Sequence, residues 1–540
     1  TVLQHKNAVK PTGVRAAMAY TRATPPGIDP MRVPAVLLAA GILALTLAFA
    51  PARADDLDAY VQTTMVQWKV PGIAVAVVKD GQVVLARGYG RRELGKPGKV
   101  DAATLFGIAS NSKAFTAAAL GTLESAGKLG WDDPVIDYLP GFRLESPYVT
   151  RALTVRDLLT HRSGYCDPTF MWLTGGFDSR EIVHRLRFQK PQYGLRERFC
   201  YNNTMYLAAG EIVPAITGES WDDYVAAHFF APLGMKRSTS RMAALAKDAD
   251  VAVPHAEIDG KVVPIPRMDT DSMAPVGGIK SSVADLSHWI LMLLADGKYQ
   301  GRTILDPGIV RTMEAPQMLI ARDSEIGEWA LAQTPNSQFL AYGLGFFVED
   351  YGGHKLVWHA GDIDGMASAL AMIPDEHLGV VVLSNMNQNR APEAIVFHVL
   401  AGYLGLPARD VSGALQKLVK SEEAPGKKLD ARLAAARDPA AKPSLPLADY
   451  AGRYRNQFVG DVTVAYRNDA LVLAFGNPAF TATLVPGAHD TFKAPWRDRV
   501  YGDSWVSFDL DALGHAEALR FAGIPYEFTR VTPAAAPEGQ

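Results

Sequence analysis

The chain has 540 residues, 48% of them hydrophobic, so it is long enough for more than one domain and apolar enough to fold. Its 54 basic and 57 acidic residues give a net charge of −3 at pH 7, and nothing in that balance indicates a nucleic-acid partner. The two cysteines, Cys166 and Cys200, exclude a cysteine-rich metal site. A single disulfide and two free thiols are both compatible with the sequence.

The first 54 residues differ in composition from the rest. We interpret residues 1–30 as disordered or as an upstream extension, because they contain Pro-Pro and show no periodicity. Met31-Arg32 precedes an apolar run that ends in Ala52-Arg53-Ala54, which is typical of a secretory signal peptide over residues 31–54 and is short for a membrane span. The sequence therefore predicts a periplasmic or secreted protein without a stable membrane anchor after cleavage. Cleavage would remove six of the 54 basic and one of the 57 acidic residues, leaving 48 against 56 and a charge of −8.

Residues 55–407 have predicted strands at both ends and predicted helices between them. A helix over Asp58–Trp68 and a hairpin turned at Asp80-Gly81 come first, and helical patterns dominate from Ala114 to about Leu294. Strand patterns then return, followed by one more helix: Leu344–Glu349, Lys355–His359, Ala367–Ile373 and Gly379–Leu383, then Glu393–Leu404. This order predicts one sheet built from both ends of the domain, a helical insertion beside it, and a cleft between the two.

The rest of the chain divides into a linker and a small domain. Residues 408–444 are rich in Lys, Glu, Ala and Pro, which predicts a linker that is partly helical. Over residues 445–533 short alternating runs predict a small antiparallel barrel or sandwich: Gly460–Tyr466, Ala470–Phe475, Ala479–Leu484, Trp505–Phe508 and Ala518–Phe521.

Ser110 and Lys113 lie between the strand-like run Thr104–Ile108 and an apolar helical run. If a helix begins near Ser110, residues three apart share one face, which brings the hydroxyl next to the ammonium near the positive end of the helix. A serine alcohol is a weak nucleophile until a base takes its proton, and burial lowers the pKa of a lysine. The spacing alone is not specific, because Ser125 and Lys128 repeat it in a polar helix end that we interpret as structural.

Tyr201 and Asn203 follow the loop Arg196–Cys200 and precede a helical pattern. A tyrosine near a lysine ammonium is expected to ionise below its usual pKa of about 10, and then to act as base for the serine and acid for the leaving group. We expect Asn203 to donate its side-chain amide to the substrate. The Tyr-x-Asn pattern recurs at Tyr454 and Tyr466, so it is not specific by itself.

His359-Ala360-Gly361 lies on a predicted strand and is followed by Asp362. We expect the edge of this strand to bind substrate, with His359, Gly361 and Asp362 in contact with it. A backbone amide just after Gly361 is expected to join the Ser110 amide in an oxyanion hole. A histidine that merely ends a strand is the competing interpretation.

Together the three motifs occur in the order found in the serine β-lactamase and penicillin-binding-protein superfamily, and two further segments, Leu158–Gly164 and Gly277–Ser282, also look like segments of its scaffold. Over residues 55–405 the chain resembles the class C β-lactamase-like branch, which includes D-specific peptidases and family VIII carboxylesterases. The resemblance implies an α+β fold, with an antiparallel sheet flanked by helices and an all-helical subdomain. It implies a serine nucleophile, Ser110, without a metal or cofactor, and scaffold roles for His161 and Ser163.

The third motif departs from the class C β-lactamases, which carry Lys-Thr-Gly at this place. Ala360 cannot donate the hydrogen bond of the threonine, and Asp362 would repel an anionic substrate group. A histidine in first place is similar to the D-specific peptidases. The resemblance therefore favours a serine hydrolase that forms an acyl-enzyme with small amides, short D-residue peptides or esters. A class C β-lactamase and a penicillin-binding sensor without turnover are the alternatives, and oligomerisation is compatible with all three.

The segment from Leu445, which contains Asp449–Tyr454 and Asp490–Phe492, resembles the lipocalin-like module often found behind such hydrolases. A ligand site of its own and a role as a lid or assembly domain are both compatible with this resemblance. We favour the second role, because no titratable cluster occurs in the segment.

Overall fold

The computed structural model describes residues 51–246, 248–436 and 442–531, with side chains from Asp56 onward. The predicted upstream extension and nearly all of the predicted signal peptide lie outside these residues. Within them the helices are α1 (Pro51–Gln67), α2 (Ser112–Ser125), α3 (Val135–Tyr138), α4 (Pro147–Ala152), α5 (Val155–Leu159), α6 (Thr169–Gly175), α7 (Ser179–Arg185), α8 (Asn203–Thr217), α9 (Trp221–Val225), α10 (Ala231–Leu233), α11 (Met242–Leu245), α12 (Ala274–Gly277), α13 (Val283–Leu294), α14 (Pro307–Met313), α15 (Glu325–Gln333), α16 (Ala391–Tyr403) and α17 (Val411–Ala435). No described helix combines the length and apolar character needed to cross a membrane.

The strands fall into two regions: one that contains the predicted catalytic residues, which we call the catalytic region, and a C-terminal region. The first holds β1 (Gly72–Lys79), β2 (Gln82–Gly90), β3 (Phe106–Gly107), β4 (His255–Ile258), β5 (Lys261–Pro264), β6 (Lys280–Ser281), β7 (Lys298–Tyr299), β8 (Arg302–Thr303), β9 (Met318–Leu319), β10 (Leu340–Tyr342), β11 (Phe347–Tyr351), β12 (His354–Ile363), β13 (Met366–Ile373) and β14 (Leu378–Ser384). The second holds β15 (Gly452–Asn456), β16 (Gly460–Arg467), β17 (Ala470–Ala474), β18 (Thr481–Thr483), β19 (Val485–Pro486), β20 (Thr491–Pro495), β21 (Asp503–Leu510), β22 (Ala516–Phe521) and β23 (Glu527–Arg530).

An eight-stranded antiparallel sheet forms the centre of the catalytic region, in the order β2-β1-β14-β13-β12-β11-β10-β9. The N-terminal hairpin turns at Asp80 and Gly81, whose φ angles of 51° and 75° suit a tight turn. The first strand of this hairpin, β1, pairs with β14, which comes last in the chain among the strands of this sheet, and Val75 lies opposite Val382. The sheet is therefore built from both ends of the domain, and the predicted α+β fold is confirmed.

Helix α2 lies at the centre of the helical region, and eleven of its 14 residues are buried. Phe115 on this helix stacks on Trp289 of α13 at a ring distance of 4.0 Å. The strand predicted over Leu344–Glu349 begins only at Phe347, because Gly345 turns the chain with a φ of 84°. A Cβ atom at Gly345 would lie 2.8 Å from Cα of Ala114, so the chain bends there to pass close to α2.

The region predicted as a linker contains the 25-residue helix α17, which packs against α15 and α16. Beyond it, nine antiparallel strands form a nearly closed barrel in the order β18-β17-β16-β15-β23-β22-β21-β20-β19. The all-β prediction is confirmed, although β15, β19, β20 and β23 were not among the predicted strands. Aromatic side chains pack together in this barrel and are buried: Phe475, Phe480, Trp496, Phe521 and Phe528. The lipocalin-like resemblance stays a prediction.

The barrel contacts the catalytic region at several places. Phe170 on α6 packs against Phe475 and Phe521 of the barrel at ring distances of 5.6 and 5.7 Å. Arg185 on α7 donates hydrogen bonds to two backbone carbonyls of the barrel, and Tyr501 donates one to Asp364 in the turn after β12. Helices α6 and α7 are thus held by contacts with the barrel.

Candidate active site

Ser110 lies in a single tight turn, Ala109–Asn111, directly before helix α2. The turn begins at Ala109, a buried residue with a φ of 48°, a conformation that few non-glycine residues adopt. The segment Gly277–Ser282 supports the turn, since the Ile108 N–H donates to the Ile279 carbonyl at 2.9 Å. These contacts present the Ser110 hydroxyl at the surface of the cleft.

Lys113 is one turn further along and fully buried. Its Nζ donates to Oγ of Ser110 at 2.9 Å, to Oδ1 of Asn203 at 2.8 Å and to the backbone carbonyl of Val276 at 3.2 Å. Burial lowers the pKa of Lys113 to about 7, because the charged ammonium loses its hydration. A large fraction of the side chain is therefore a neutral amine near neutral pH, which can accept a proton from the serine.

Tyr201 contacts the same hydroxyl from the opposite side. Its OH donates to Oγ of Ser110 at 2.9 Å, and its ring centroid lies 4.9 Å from Nζ of Lys113. Burial raises the pKa of Tyr201 above its ordinary value, since a phenolate is costly away from water. The expectation that Tyr201 ionises below pH 10 is therefore wrong. Of the two side chains bonded to the Ser110 hydroxyl, Lys113 has the pKa near neutrality, and Tyr201 is a neutral hydroxyl donor.

Asn203 begins helix α8, which Asn202 caps by accepting the Met205 N–H at 3.0 Å. The backbone N–H of Asn203 donates to Oδ1 of Asp167 at 2.7 Å. Since its Oδ1 accepts from Lys113, its side-chain NH₂ is the group that remains for a substrate. The sequence pattern did not identify Asp167, whose only signal was its position next to Cys166.

A disulfide joins Cys166 to Cys200, which resolves the alternative that the sequence left open. Each cysteine directly precedes a residue of the site, Asp167 and Tyr201, and the Asp167 N–H donates to the Tyr201 carbonyl at 3.0 Å. The disulfide therefore fixes two segments, 34 residues apart in sequence, in the wall of the cleft.

His359 lies within strand β12, which continues to Ile363, so it does not end a strand. Its Nε2 and the Tyr342 hydroxyl are 2.9 Å apart. Burial and the nearby Lys113 lower the pKa of His359 to about 3, so the ring is neutral. Strand β11 pairs with β12 only as far as Trp358, so among the described residues the edge at 359–363 has no strand partner on that side. This free edge is the predicted substrate-binding edge.

Gly361 brings this strand against the turn that carries the nucleophile. A Cβ atom at Gly361 would lie 2.5 Å from the Ile108 carbonyl oxygen and 2.9 Å from Cβ of Ala109. Only glycine permits this approach without a shift of the backbone. The absence of a side chain at Gly361 therefore allows β12 to lie close to the turn that carries Ser110.

Six of the seven predicted residues line one cavity of about 1420 Å³: Ser110, Tyr201, Asn203, His359, Gly361 and Asp362. The seventh, Lys113, lies buried behind Ser110. Asp362 is not a free charge, because its Oδ2 lies 3.4 Å from Nη1 of Arg390. Arg390 and Glu393 also line the cavity, and no sequence pattern pointed to them, because charges at the start of a helix are common.

His161 belongs to the scaffold in this structure. It is fully buried, its Nδ1 accepts the Asn202 N–H at 3.0 Å, and its ring lies 4.3 Å from the ring of Tyr201. Burial lowers the pKa of His161 well below its ordinary value, so it packs as a neutral ring behind Tyr201. Ser163 is also buried and bonds to the backbone of Tyr165.

The antiparallel sheet, the helical region and the Ser–Lys–Tyr cluster between them define a hydrolase of the β-lactamase and penicillin-binding-protein superfamily. Residues 57–402 match the family model described as Beta-lactamase, and the chain belongs to that family. Residues 436–534 match a second model, described as a domain of unknown function (DUF3471).

Similar proteins come from fungi, bacteria and archaea. Unguisins hydrolase ungD of Aspergillus violaceofuscus is 28% identical over 517 residues, which cover 89% of this chain and 86% of the relative. Protein flp of Staphylococcus aureus is 27% identical over 344 residues, 63% of this chain and 65% of the relative. The structure is similar to that of an octameric penicillin-binding protein homologue from Pyrococcus abyssi, with a TM-score of 0.59 and 25% identity, over 88% of this chain and 100% of that one.

Proposed function

We propose that the chain is a serine hydrolase that forms an acyl-enzyme on Ser110. One observation carries the proposal: Oγ of Ser110 lies 2.9 Å from both Nζ of Lys113 and the hydroxyl of Tyr201. A lysine with a pKa of about 7 can take the proton from the serine, and a neutral tyrosine can donate one. The nucleophile is thus placed between a base and an acid.

The proposed reaction begins when Oγ of Ser110 attacks the carbonyl carbon and its proton passes to Nζ of Lys113. Negative charge develops on the carbonyl oxygen, where the backbone amides of Ser110 and Asp362 are expected to stabilise it. The Tyr201 hydroxyl donates its proton to the leaving amine or alkoxide as the bond to carbon breaks, and the Lys113 ammonium returns a proton to the tyrosine. A water molecule then hydrolyses the ester on Ser110 by the same steps in reverse.

We favour small amides, D-residue peptides and esters as substrates over β-lactams. Ala360 has no hydroxyl for a substrate carboxylate, and the carboxylate of Asp362 lies two residues further along the strand. One lost hydrogen bond to a charged group costs about 1.5 to 3 kcal/mol, roughly ten- to a hundredfold in kcat/KM. The fungal relative is named a hydrolase, which supports turnover over a penicillin-binding sensor.

A panel of p-nitrophenyl esters, D-amino-acid p-nitroanilides and a chromogenic cephalosporin tests this proposal. We expect steady-state turnover of an ester or an anilide with kcat/KM above that for the cephalosporin. Stoichiometric labelling by a fluorescent penicillin, without turnover of any substrate in the panel, would show the sensor instead. A preference for the cephalosporin would show a β-lactamase.

Export and assembly complete the proposal. The pattern over residues 31–54 supports a periplasmic or secreted location, and fractionation of the native host checks it. The Pyrococcus abyssi homologue is described as octameric, which supports an oligomer of this chain as well. Light scattering of the purified protein would show a mass of two or more times that of its own chain, and the mass of a single chain would contradict an oligomer.

A further inference from the structure

The cavity continues past the nucleophile, around the free edge of β12. Alternate residues of a strand point to opposite faces of its sheet. Gly361 faces the turn before α2, whereas Trp358 packs against Phe397 of α16 at a ring distance of 6.1 Å. Asp362 shares the face of Trp358 and meets Arg390, just before α16. The cavity therefore has a second part on the α16 side of the sheet.

We call this part the far recess and define it by five lining residues: Trp329, Trp358, Asp362, Arg390 and Glu393. Nη1 of Arg390 lies 3.3 Å from Oε1 of Glu393 and 3.4 Å from Oδ2 of Asp362. The guanidinium also lies over the ring of Trp329, 4.5 Å from its centroid. One cation is thus shared between two carboxylates and an aromatic face.

One carboxylate of the far recess, that of Glu393, is incompletely paired. Glu393 is 2% exposed, and its Oε2 has no hydrogen-bond partner among the residues that the structure describes. A buried carboxylate oxygen without a partner is costly. Burial also raises the pKa of Asp362 to about 7 and raises the pKa of Glu393, because Arg390 alone does not offset the cost of burying two carboxylates. A second cation beside them would favour their ionised forms and supply the partner that Oε2 of Glu393 lacks.

The wider cavity also has more carboxylates than basic side chains. Its lining contains two arginines, Arg198 and Arg390, against six carboxylates: Asp167, Glu197, Asp323, Glu325, Asp362 and Glu393. A cavity lined by one sign of charge attracts ligands of the other sign. The two tryptophans of the far recess provide apolar and aromatic surface next to the charges.

We propose that the far recess binds a primary ammonium group of the substrate, with the carboxylates of Asp362 and Glu393 around the cation and its alkyl stem on Trp329 and Trp358. That the bound molecule is a substrate rests on the proposed function. The site adds a requirement on substrate shape: the reacting carbonyl at Ser110 and the cation lie on opposite faces of the sheet, so the substrate passes the free edge of β12.

The test measures binding to the full-length protein by calorimetry, so that it does not depend on turnover. The ligands are hexylammonium, hexan-1-ol and hexanoate, which share one chain length and differ in charge. We expect hexylammonium to bind at least about tenfold more tightly than hexan-1-ol, as a charge-assisted hydrogen bond provides. In Asp362→Asn the advantage should fall to within about twofold.

Asp375→Asn is the matched control, because Asp375 pairs with His354 at 2.7 Å and is not among the cavity residues. It removes one carboxylate from the turn between β13 and β14 and should leave the advantage unchanged. Tighter binding of hexanoate would overturn the proposal in favour of an anion site at Arg390, and equal binding of all three ligands would reduce the recess to an apolar pocket. Both results come from the wild-type protein and hold even if a variant does not fold. Failure of the proposed function is seen separately, as absent p-nitrophenyl acetate hydrolysis and absent labelling of Ser110.

Discussion

Helix α2 carries the same Ser-x-x-Lys spacing at both of its ends. Ser110 lies just before the helix and Lys113 in its first turn. Ser125 is the last residue of the helix, and Lys128 lies just after it. Lys113 is fully buried and bonds to three other residues, whereas Ser125 and Lys128 are exposed. The local sequence is alike at the two ends, but the surroundings are not.

The difference shows what makes a serine and a lysine into a reactive pair. Burial lowers the pKa of Lys113, and burial is provided by residues far away in sequence, such as Asn203 and Val276. At the other end of the helix, Ser125 and Lys128 remain exposed to water. The reactive pair is therefore a product of tertiary packing, and each of the following changes tests one part of that statement.

The largest effect is expected for Ser110→Ala. Turnover and covalent labelling should be lost, by about 10⁴-fold or more in kcat/KM, since no other hydroxyl can form the acyl-enzyme. The fold should remain, because a serine-to-alanine change near a helix start costs at most about 2 kcal/mol. Ester hydrolysis and thermal melting measure both quantities. Ser125→Ala should be silent, and an equal loss in both variants would contradict the comparison.

Lys113→Ala and Tyr201→Phe should each slow acylation by about 10²- to 10⁴-fold, as expected for groups that transfer protons. Their effects should not add, because both act on the Ser110 hydroxyl. Pre-steady-state acylation of the single and double variants measures this. Lys128→Ala is the control at the other end of the helix. A double variant slower by the product of the two single effects would separate the roles of lysine and tyrosine.

The pH dependence should report the buried lysine. The neutral amine is the base, so kcat/KM should rise about tenfold per pH unit below the Lys113 pKa of about 7 and level off above it. Asp362 has a pKa in the same range, and Asp362→Asn distinguishes the two groups. The variant should keep the midpoint of the profile. Loss of the midpoint in Asp362→Asn would assign it to the carboxylate.

The smallest effect is expected for loss of the disulfide, which has no counterpart near the other end of α2. The double change Cys166→Ser and Cys200→Ser should lower stability by about 2 to 4 kcal/mol through the loss of a covalent loop. It should lower kcat by roughly tenfold, because small displacements of a catalytic side chain slow the reaction. Dithiothreitol should have the same effect on the wild-type protein and none on the variant. An unchanged kcat would limit the disulfide to stability.

The architecture was predictable because its signals are local. The turn at Asp80-Gly81 and the alternation of apolar residues indicate the hairpin, and the 3.6-residue period indicates the helices. The start of β11 was not predictable, because the residue that decides it, Gly345, bends the chain where it passes close to Ala114 of a distant helix. Contacts of that kind are set by tertiary packing.

The candidate site was predictable in its residue types but not in its electrostatics. Motif order identified Ser110, Lys113 and Tyr201, yet the direction of the tyrosine pKa shift depends on complete burial, which no motif reports. The far recess was missed for a similar reason. Arg390 and Glu393 begin a helix, and only the topology of the sheet brings them next to Asp362.

The packing of Phe170 against the aromatic rings of the barrel has a practical consequence. A fragment that ends before the barrel would leave this ring, and the apolar face around it, exposed to water. Such surfaces favour aggregation, so the fragment would be expressed in a less soluble form than the whole protein. Attempts to reduce the enzyme to its catalytic region should therefore replace Phe170 with a polar residue, or keep the barrel.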